Sequence, residues 1–166
     1  MPHRITRQIE DGKPVSYISI PLGFYRQQCE TIRLLKELHH GKLAEFRVAE
    51  LVGGTVSPGY ADAHDVLTRT GKTLQVKSAN PTDKRWSFSN AHTECDWLVL
   101  TAQKDDRFSA QYLDDSPWVY WLIRRSEVPQ VVRTSGYIQI STNPDVWSNR
   151  RMVEYMVPEA RIVEIE

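Results

Sequence analysis

The sequence has few cysteines and no long apolar run. Its two cysteines, Cys29 and Cys95, lie far apart and outside any C-x-x-C pair, which excludes a zinc site built from cysteines and is typical of a reducing compartment. No apolar run approaches the roughly 20 residues that a membrane span requires, and the residues after Met1 lack the apolar core of a signal peptide. These absences predict a cytoplasmic protein without a membrane partner.

Charge of either sign is not in excess. Lys and Arg number 21, as do Asp and Glu, so the formal net charge is +0. Because non-specific affinity for nucleic acid comes from summed positive charge, a net charge of zero argues against a general polyanion binder. It remains compatible with a protein that binds DNA through one locally basic face. With 166 residues, 40% of them hydrophobic, the chain is expected to form one domain over 1–166 with its own core.

The patterning predicts helices in the first third and strands after them. Apolar spacing predicts two helices, over 24–40 and 42–52. Alternation and β-branched content predict strands over 15–20, 64–69, 72–78, 96–101, 117–123 and near 161–165. A polar loop is expected over 79–93. This order indicates an α/β or α+β fold with three parts: an N-terminal strand and helix over 15–40, a central region over 41–101 and a strand-rich part over 115–166.

The strands over 64–69 and 72–78 are predicted to form a hairpin around Thr70-Gly71. Side chains alternate along the second strand, so Gln75 and Lys77 share one face. A two-residue turn would set Leu67 opposite Leu74 and would bring Asp65 opposite Val76. One acid, one amide and one ammonium group are therefore expected to converge at the open end of the hairpin.

These groups suit a hard divalent cation. The Asp65 carboxylate, the Gln75 amide oxygen and the main-chain oxygen of Val76 are ligands that Mg²⁺ accepts, and Mn²⁺ could substitute for it. Lys77 would then orient or deprotonate a water molecule. Asp62 is a competing acid, but it precedes the apolar strand residues and is expected to lie in a loop.

The helix over 42–52 offers a second acid. At about 100° per residue, one side of this helix carries the apolar residues Val48, Ala49 and Val52. Glu45 falls among them, whereas Arg47 and Glu50 fall on the opposite, wetter side. A carboxylate on the apolar side of a helix is costly unless it is paired or metal-bound, so Glu45 is the candidate for the site.

These motifs resemble the PD-(D/E)xK nuclease superfamily, which includes many restriction endonucleases and Holliday-junction resolvases. The resemblance covers roughly residues 41–101. Gly41-Lys42-Leu43-Ala44-Glu45 is similar to the acid-bearing first helix, His64-Asp65-Val66-Leu67 stands at the Pro-Asp motif, and Gln75-Val76-Lys77 stands at the acid-x-Lys motif. Asp96-Trp97-Leu98-Val99-Leu100 resembles the buried strand that follows. His64 thus replaces a proline, and Gln75 replaces an acid.

The resemblance implies a restriction-endonuclease-like fold, a mixed four-stranded sheet flanked by helices. It also implies Mg²⁺-dependent hydrolysis of phosphodiester bonds in double-stranded DNA, in a bacterial, archaeal or phage setting. Asp65 would be the metal-binding acid, Gln75 the second ligand, Lys77 the catalytic lysine and Glu45 the helix acid. We expect a sequence-specific enzyme of restriction or homing type that assembles as a homodimer, since two-fold symmetry supplies one active site for each strand.

Two other readings stay open. A structure-specific nuclease of the junction-resolving type is the near relative, and the loss of one acid at Gln75 leaves room for a non-catalytic module that binds DNA or protein. Candidate DNA contacts follow the motif in the polar segment after residue 79, namely Lys84, Arg85, Asn90 and His92. The alternative for this segment is a connection pinned to the core by Trp86 and Phe88.

Overall fold

The computed structural model describes residues 4–19, 22–37, 40–58, 63–79, 85–91, 93–106, 111–141 and 152–165. The chain divides into two compact units, Met1–His39 and His40–Glu166. The boundary falls between the two long helices of the structure, Leu22–Glu37 and His40–Val52. One nuclease-like domain extending over 1–166 stays a prediction.

The first unit contains a β-hairpin and a helix. Strands β1 (Arg4–Glu10) and β2 (Lys13–Ser19) pair antiparallel. They are joined by Asp11 and Gly12, whose φ angles of 50° and 74° are those a type I′ turn requires. β2 confirms the strand predicted over 15–20, and α1 (Leu22–Glu37) confirms the helix that follows. Residues 38 and 39 of that predicted helix lie outside the described part.

The second unit carries the remaining elements. In chain order, they are α2 (His40–Val52), β3 (Thr55–Val56), β4 (Val66–Leu67), β5 (Thr73–Ala79), β6 (Arg85–Phe88), β7 (Trp97–Gln103), β8 (Trp118–Arg124), α3 (Val128–Val131), β9 (Ile138–Ser141), α4 (Met152–Tyr155), β10 (Met156–Val157) and α5 (Glu159–Val163). A 3-10 turn, Arg125–Glu127, precedes α3. None of the described helices is long and apolar enough to cross a membrane.

Six strands form one mixed sheet in the order β10-β8-β7-β5-β4-β3. Neighbours run antiparallel except β5 and β7, which run parallel. Thr73 and Asp96 hold the starts of these two strands together, because the Thr73 N–H donates to Asp96 Oδ2 (2.8 Å) and the Asp96 N–H donates to Thr73 Oγ1 (3.1 Å). The mixed sheet with its helices confirms the α+β class, and its six strands exceed the four that the resemblance implies.

Hydrophobic cores cover both faces of the sheet. On one face, α2 and α5 pack against β5, β7 and β8, and the fully buried residues there include Val48, Leu74, Val99 and Ile162. On the other face, β6, β9, α3 and α4 cover β7 and β8. The fully buried ring of Trp121 makes edge contacts there with Trp86 (ring centroids 5.5 Å apart) and with Phe88 (5.8 Å). α2, which carries Glu45, is thereby fixed against β5, which carries Gln75, Val76 and Lys77.

The predicted hairpin is present, but its register was wrong by one residue. Val66 lies opposite Leu74 and Leu67 opposite Thr73, whereas the sequence prediction set Leu67 opposite Leu74. The connection has three residues instead of two, because the Thr68 N–H already donates to the Lys72 carbonyl (2.9 Å). Gly71, with φ at 87°, ends this turn in the left-handed conformation that three-residue hairpin loops use.

Two predictions in the later part of the chain were wrong. The segment 79–93 was expected to be loop, yet β6 lies within it and pairs antiparallel with β9. Residues near 161–165 were expected to form a strand, yet α5 occupies this region. Ile162 and Ile165 are both buried and Val163 is 53% exposed, and a spacing of three places residues on one side of a helix, not on one face of a strand.

Gly54, directly before β3, lies close to the backbone of β4. A Cβ added at Gly54 would lie 2.2 Å from the Leu67 carbonyl oxygen, so Gly54→Ala should force β3 away from β4 and lower the free energy of unfolding by about 3 kcal/mol. Gly71→Ala is the matched control, since a Cβ there meets no atom within 4 Å and costs only the left-handed backbone, about 1 kcal/mol. Chemical denaturation of the two variants measures this difference, and equal losses would contradict it.

Candidate functional site

The backbone around Asp65 is fixed by hydrogen bonds to both neighbouring strands. The Asp65 N–H donates to the Leu74 carbonyl (2.9 Å), and the Asp65 carbonyl accepts from the Ser57 N–H (2.9 Å). These bonds join Asp65, which directly precedes β4, to β5 on one side and to the residue after β3 on the other. The Asp65 side chain therefore leaves the sheet from a defined position beside the middle of β5.

The Asp65 carboxylate binds the next two residues of β5. Its Oδ2 atom accepts the Val76 N–H (2.8 Å) and also accepts a hydrogen bond from the Gln75 side-chain amide. The shifted register thus leaves the predicted association intact, because the Asp65 carboxylate reaches Val76 although the Asp65 backbone N–H bonds to Leu74, two residues earlier. Asp65, Gln75 and Val76 form one hydrogen-bonded group.

The Val76 carbonyl lies on the same side of β5 as Asp65. Leu74 accepts a hydrogen bond from Asp65 and Val76 donates one to it, so both residues direct their backbone groups toward β4. The N–H and C=O of one strand residue point to the same side. The Val76 carbonyl oxygen therefore points toward the edge where the Asp65 carboxylate lies, as a metal ligand would have to.

Glu45 and Lys77 belong to the same electrostatic environment. Glu45 is half-buried on α2, and its carboxylate forms an ion pair with Lys42 one turn earlier. Burial raises the pKa of Glu45, the hydrogen bond from Lys42 lowers it, and the charges of Asp65 and Lys77 add smaller opposing effects. Glu45 therefore lies within electrostatic range of Asp65 and Lys77, and Asp65 is hydrogen-bonded to Gln75.

The chemistry of these donors fits Mg²⁺. Two carboxylates, one amide and one main-chain carbonyl are hard oxygen ligands of the kind that Mg²⁺ prefers. Among the described residues, no group of three or more His, Cys, Asp or Glu side chains is placed to hold a metal ion. The amide of Gln75 and the carbonyl of Val76 would therefore have to complete a ligand set that Glu45 and Asp65 begin.

The predicted DNA contacts divide between described and undescribed residues. Arg85 is exposed on β6, where its Nη1 donates to Gln139 Oε1 (3.4 Å). Asn90 is exposed and has a φ of 50°. Lys84 and His92 lie outside the described residues, as does the competing acid Asp62. The alternative, that Trp86 and Phe88 attach this segment to the core, is confirmed in part, because both side chains are fully buried.

Sequence reasoning missed the role of Arg47. This residue was placed on the wetter side of its helix, but it is half-buried, its guanidinium carbon lies 3.5 Å from the centroid of the Trp118 ring, and its Nη2 donates to Thr101 Oγ1 (3.2 Å). Trp118 is half-buried at the start of β8, and Tyr120 and Trp121 after it are fully buried. A helical projection carries no information about the distant strand that covers the other side.

Comparison with known proteins assigns no family. No protein-family model matches the chain, and no curated protein is significantly similar to it.

The raised pKa of Glu45 predicts a pH dependence of stability. Since burial disfavours the ionised carboxylate in the folded state, the stability that Glu45 contributes is greatest below its ordinary pKa and is lost as pH rises through the raised value. Glu45→Gln removes this loss, so its unfolding free energy relative to wild type should increase as pH rises through that range. Thermal unfolding at a series of pH values tests this, with the exposed Glu50→Gln as control; a constant difference between Glu45→Gln and wild type would contradict it.

Proposed function

We propose that the protein is a Mg²⁺-dependent endonuclease that hydrolyses phosphodiester bonds in double-stranded DNA. The observation that carries the proposal is the Asp65 carboxylate, which is hydrogen-bonded to Gln75 and Val76 and lies in one electrostatic environment with Glu45 and Lys77. The agreement of this grouping with the motifs that resemble the PD-(D/E)xK superfamily supports it. Position, charge and spacing all point to the same four side chains.

The proposal assigns two roles to the site residues: binding the metal ion and transferring a proton. Glu45, Asp65, the Gln75 amide oxygen and the Val76 carbonyl would hold Mg²⁺, which would supply positive charge to the phosphate that is attacked. Lys77 shares the strand face of Gln75 and would position the attacking water or accept its proton. In the hydrolysis, the water oxygen forms a bond to phosphorus, the bond from phosphorus to the leaving sugar oxygen breaks, and that oxygen takes up a proton.

Within this class we propose a sequence-specific enzyme of restriction or homing type that acts as a homodimer. Incubating the protein with plasmid and phage DNA plus Mg²⁺ tests this, and discrete fragments would support it. Cleavage restricted to synthetic four-way junctions would instead support the structure-specific alternative. If no DNA is cut with Mg²⁺ or Mn²⁺ over a range of salt concentrations, the enzyme proposal fails.

A non-catalytic binding module is the second candidate, and the identity of Gln75 favours it. Gln75 stands where the motif that this chain resembles has an acid, so the site offers a cation one negative charge fewer. Metal binding therefore separates the two candidates.

Gln75→Glu should restore the missing acid. A third carboxylate beside Glu45 and Asp65 adds a charged ligand, so Mg²⁺ affinity measured by calorimetry should rise roughly tenfold or more. Without Mg²⁺ the variant should be less stable than wild type, because three carboxylates repel one another. The exposed substitution Gln103→Glu, at the end of β7, is the control for added charge. Unchanged metal affinity in Gln75→Glu would favour the non-catalytic module.

A further inference from the structure

A small cavity lies between α2 and the carboxyl ends of the parallel strands β5 and β7. Its volume is about 140 Å³, and Leu43, Ala79 and Trp118 form most of its apolar wall. Three polar side chains also line it: Arg47 from α2, Ser78 from β5 and Thr101 from β7. Ser78 directly follows Lys77 on β5, so the two side chains point to opposite faces of the sheet. The cavity therefore lies on the face of the sheet opposite to the Gln75 and Lys77 side chains.

The cavity contains a cation that no anion balances directly. Among the described residues, no Asp or Glu forms an ion pair with Arg47. Burial lowers the pKa of Arg47, whereas the electrostatic interaction and hydrogen bond with the Tyr120 hydroxyl and the charge of Glu159 raise it. The Glu159 carboxylate is itself held by Ser116 (2.7 Å) and by the Tyr120 hydroxyl (3.1 Å). A half-buried guanidinium in this setting favours an additional negative charge beside it.

Two buried polar atoms at the cavity also lack hydrogen-bond partners. Arg47 Nε and Ser78 Oγ are both inaccessible to solvent and unbonded in the described part of the chain. Buried donors are paired in nearly all folded proteins, so each orphan calls for an explanation. Trp118 covers a face of the guanidinium and Nη2 donates one hydrogen to Thr101, so the Nε–H and the second Nη2 hydrogen are the donors that remain for an oxyanion.

We propose that this cavity binds a phosphate group. Arg47 supplies the charge and the paired N–H donors, while the Ser78 and Thr101 hydroxyls supply donors from two other elements. Because these donors approach from a helix and two strands, they suit a tetrahedral group better than a flat carboxylate. The volume accommodates a single phosphate, either free or as part of a larger compound. The inference does not depend on the proposed nuclease activity, since none of its donors belongs to the metal site.

Inorganic phosphate is the probe for the test. In the full-length protein, the side-chain Nε–H resonance of Arg47, assigned by its loss in Arg47→Lys, should shift saturably as phosphate is added at constant ionic strength. Calorimetry should show binding that Arg47→Lys weakens at least tenfold and Ser78→Ala weakens several-fold. Arg124→Lys is the matched control, because Arg124 also contacts a tryptophan ring, that of Trp97 at 5.3 Å, but is exposed on β8.

The source of the phosphate is tested with a second ligand. Displacement of bound phosphate by a short DNA duplex without metal would assign the cavity to the nucleic-acid backbone, whereas failure of the duplex to compete would assign it to a small phosphate compound. Ser78→Ala removes a single oxygen and should fold normally, so it keeps the test valid if Arg47→Lys does not fold. The absence of a saturable Arg47 shift, or equal binding of acetate, would overturn the proposal.

Discussion

Replacing Asp65 by Asn should reduce the rate of Mg²⁺-dependent DNA cleavage by at least about 10²-fold, because it removes the one carboxylate that connects the candidate ligands. Asn retains an acceptor oxygen for the Val76 N–H, so the hydrogen bond that fixes this side chain to β5 is preserved. The loss would then reflect charge and metal binding instead of misfolding. Cleavage rates under single-turnover conditions measure it, and Asp115→Asn, at an exposed acid on the β7–β8 connection, is the control.

Lys77→Met separates the two roles within the site. Lys77 is assigned to the water and its proton, so Lys77→Met should bind Mg²⁺ as wild type does and still lose about 10²–10⁴-fold in rate. Asp65→Asn should lose both metal affinity and rate. If both variants cut DNA at the wild-type rate, the site assignment is wrong even when the protein proves to be a nuclease.

Trp86→Ala should lower the free energy of unfolding by about 3–5 kcal/mol, the range for removing a large aromatic side chain from a core. Trp86 is fully buried and in edge contact with Trp121, so its truncation leaves a cavity between β6 and the sheet. Denaturant unfolding measures the loss. Tyr137→Ala, at an aromatic residue that is 41% exposed, should stay within about 0.5 kcal/mol of wild type. If Trp86→Ala also changed the free energy of unfolding by only about 0.5 kcal/mol, β6 would not pack as the structure shows.

The candidate site could be predicted because its parts are close along the chain. Asp65, Gln75 and Val76 belong to one hairpin, whose strands are specified by local alternation and by a turn around Gly71. Glu45 could be predicted because an acid among apolar helix positions is conspicuous. The register could not be predicted, since it depends on whether Thr70-Gly71 forms a two-residue or a three-residue connection, and both are compatible with these residue types.

Elements that depend on distant partners could not be predicted. Residues 85–88 alternate in burial as a strand should, but four residues become a strand only because β9, about fifty positions later, pairs with them. The residues of α5 carry an apolar pattern that suits a strand or a short helix, and packing against α2 decides between them. β1 is different, because Asp11-Gly12 is a local hairpin signal that could have revealed it.

The packing of α2 against α5 has a consequence for synthesis on the ribosome. Ile162 and Ile165 share one core cluster with Val48, Ala49 and Leu74. The first and last helices of the second unit therefore bury their apolar residues in the same core. A nascent chain can form the hairpin at Asp65 soon after it leaves the exit tunnel, yet the helix that bears Glu45 lacks part of its cover until residue 165 has emerged. Part of its apolar side then stays open to chaperones until the end of this unit has been translated.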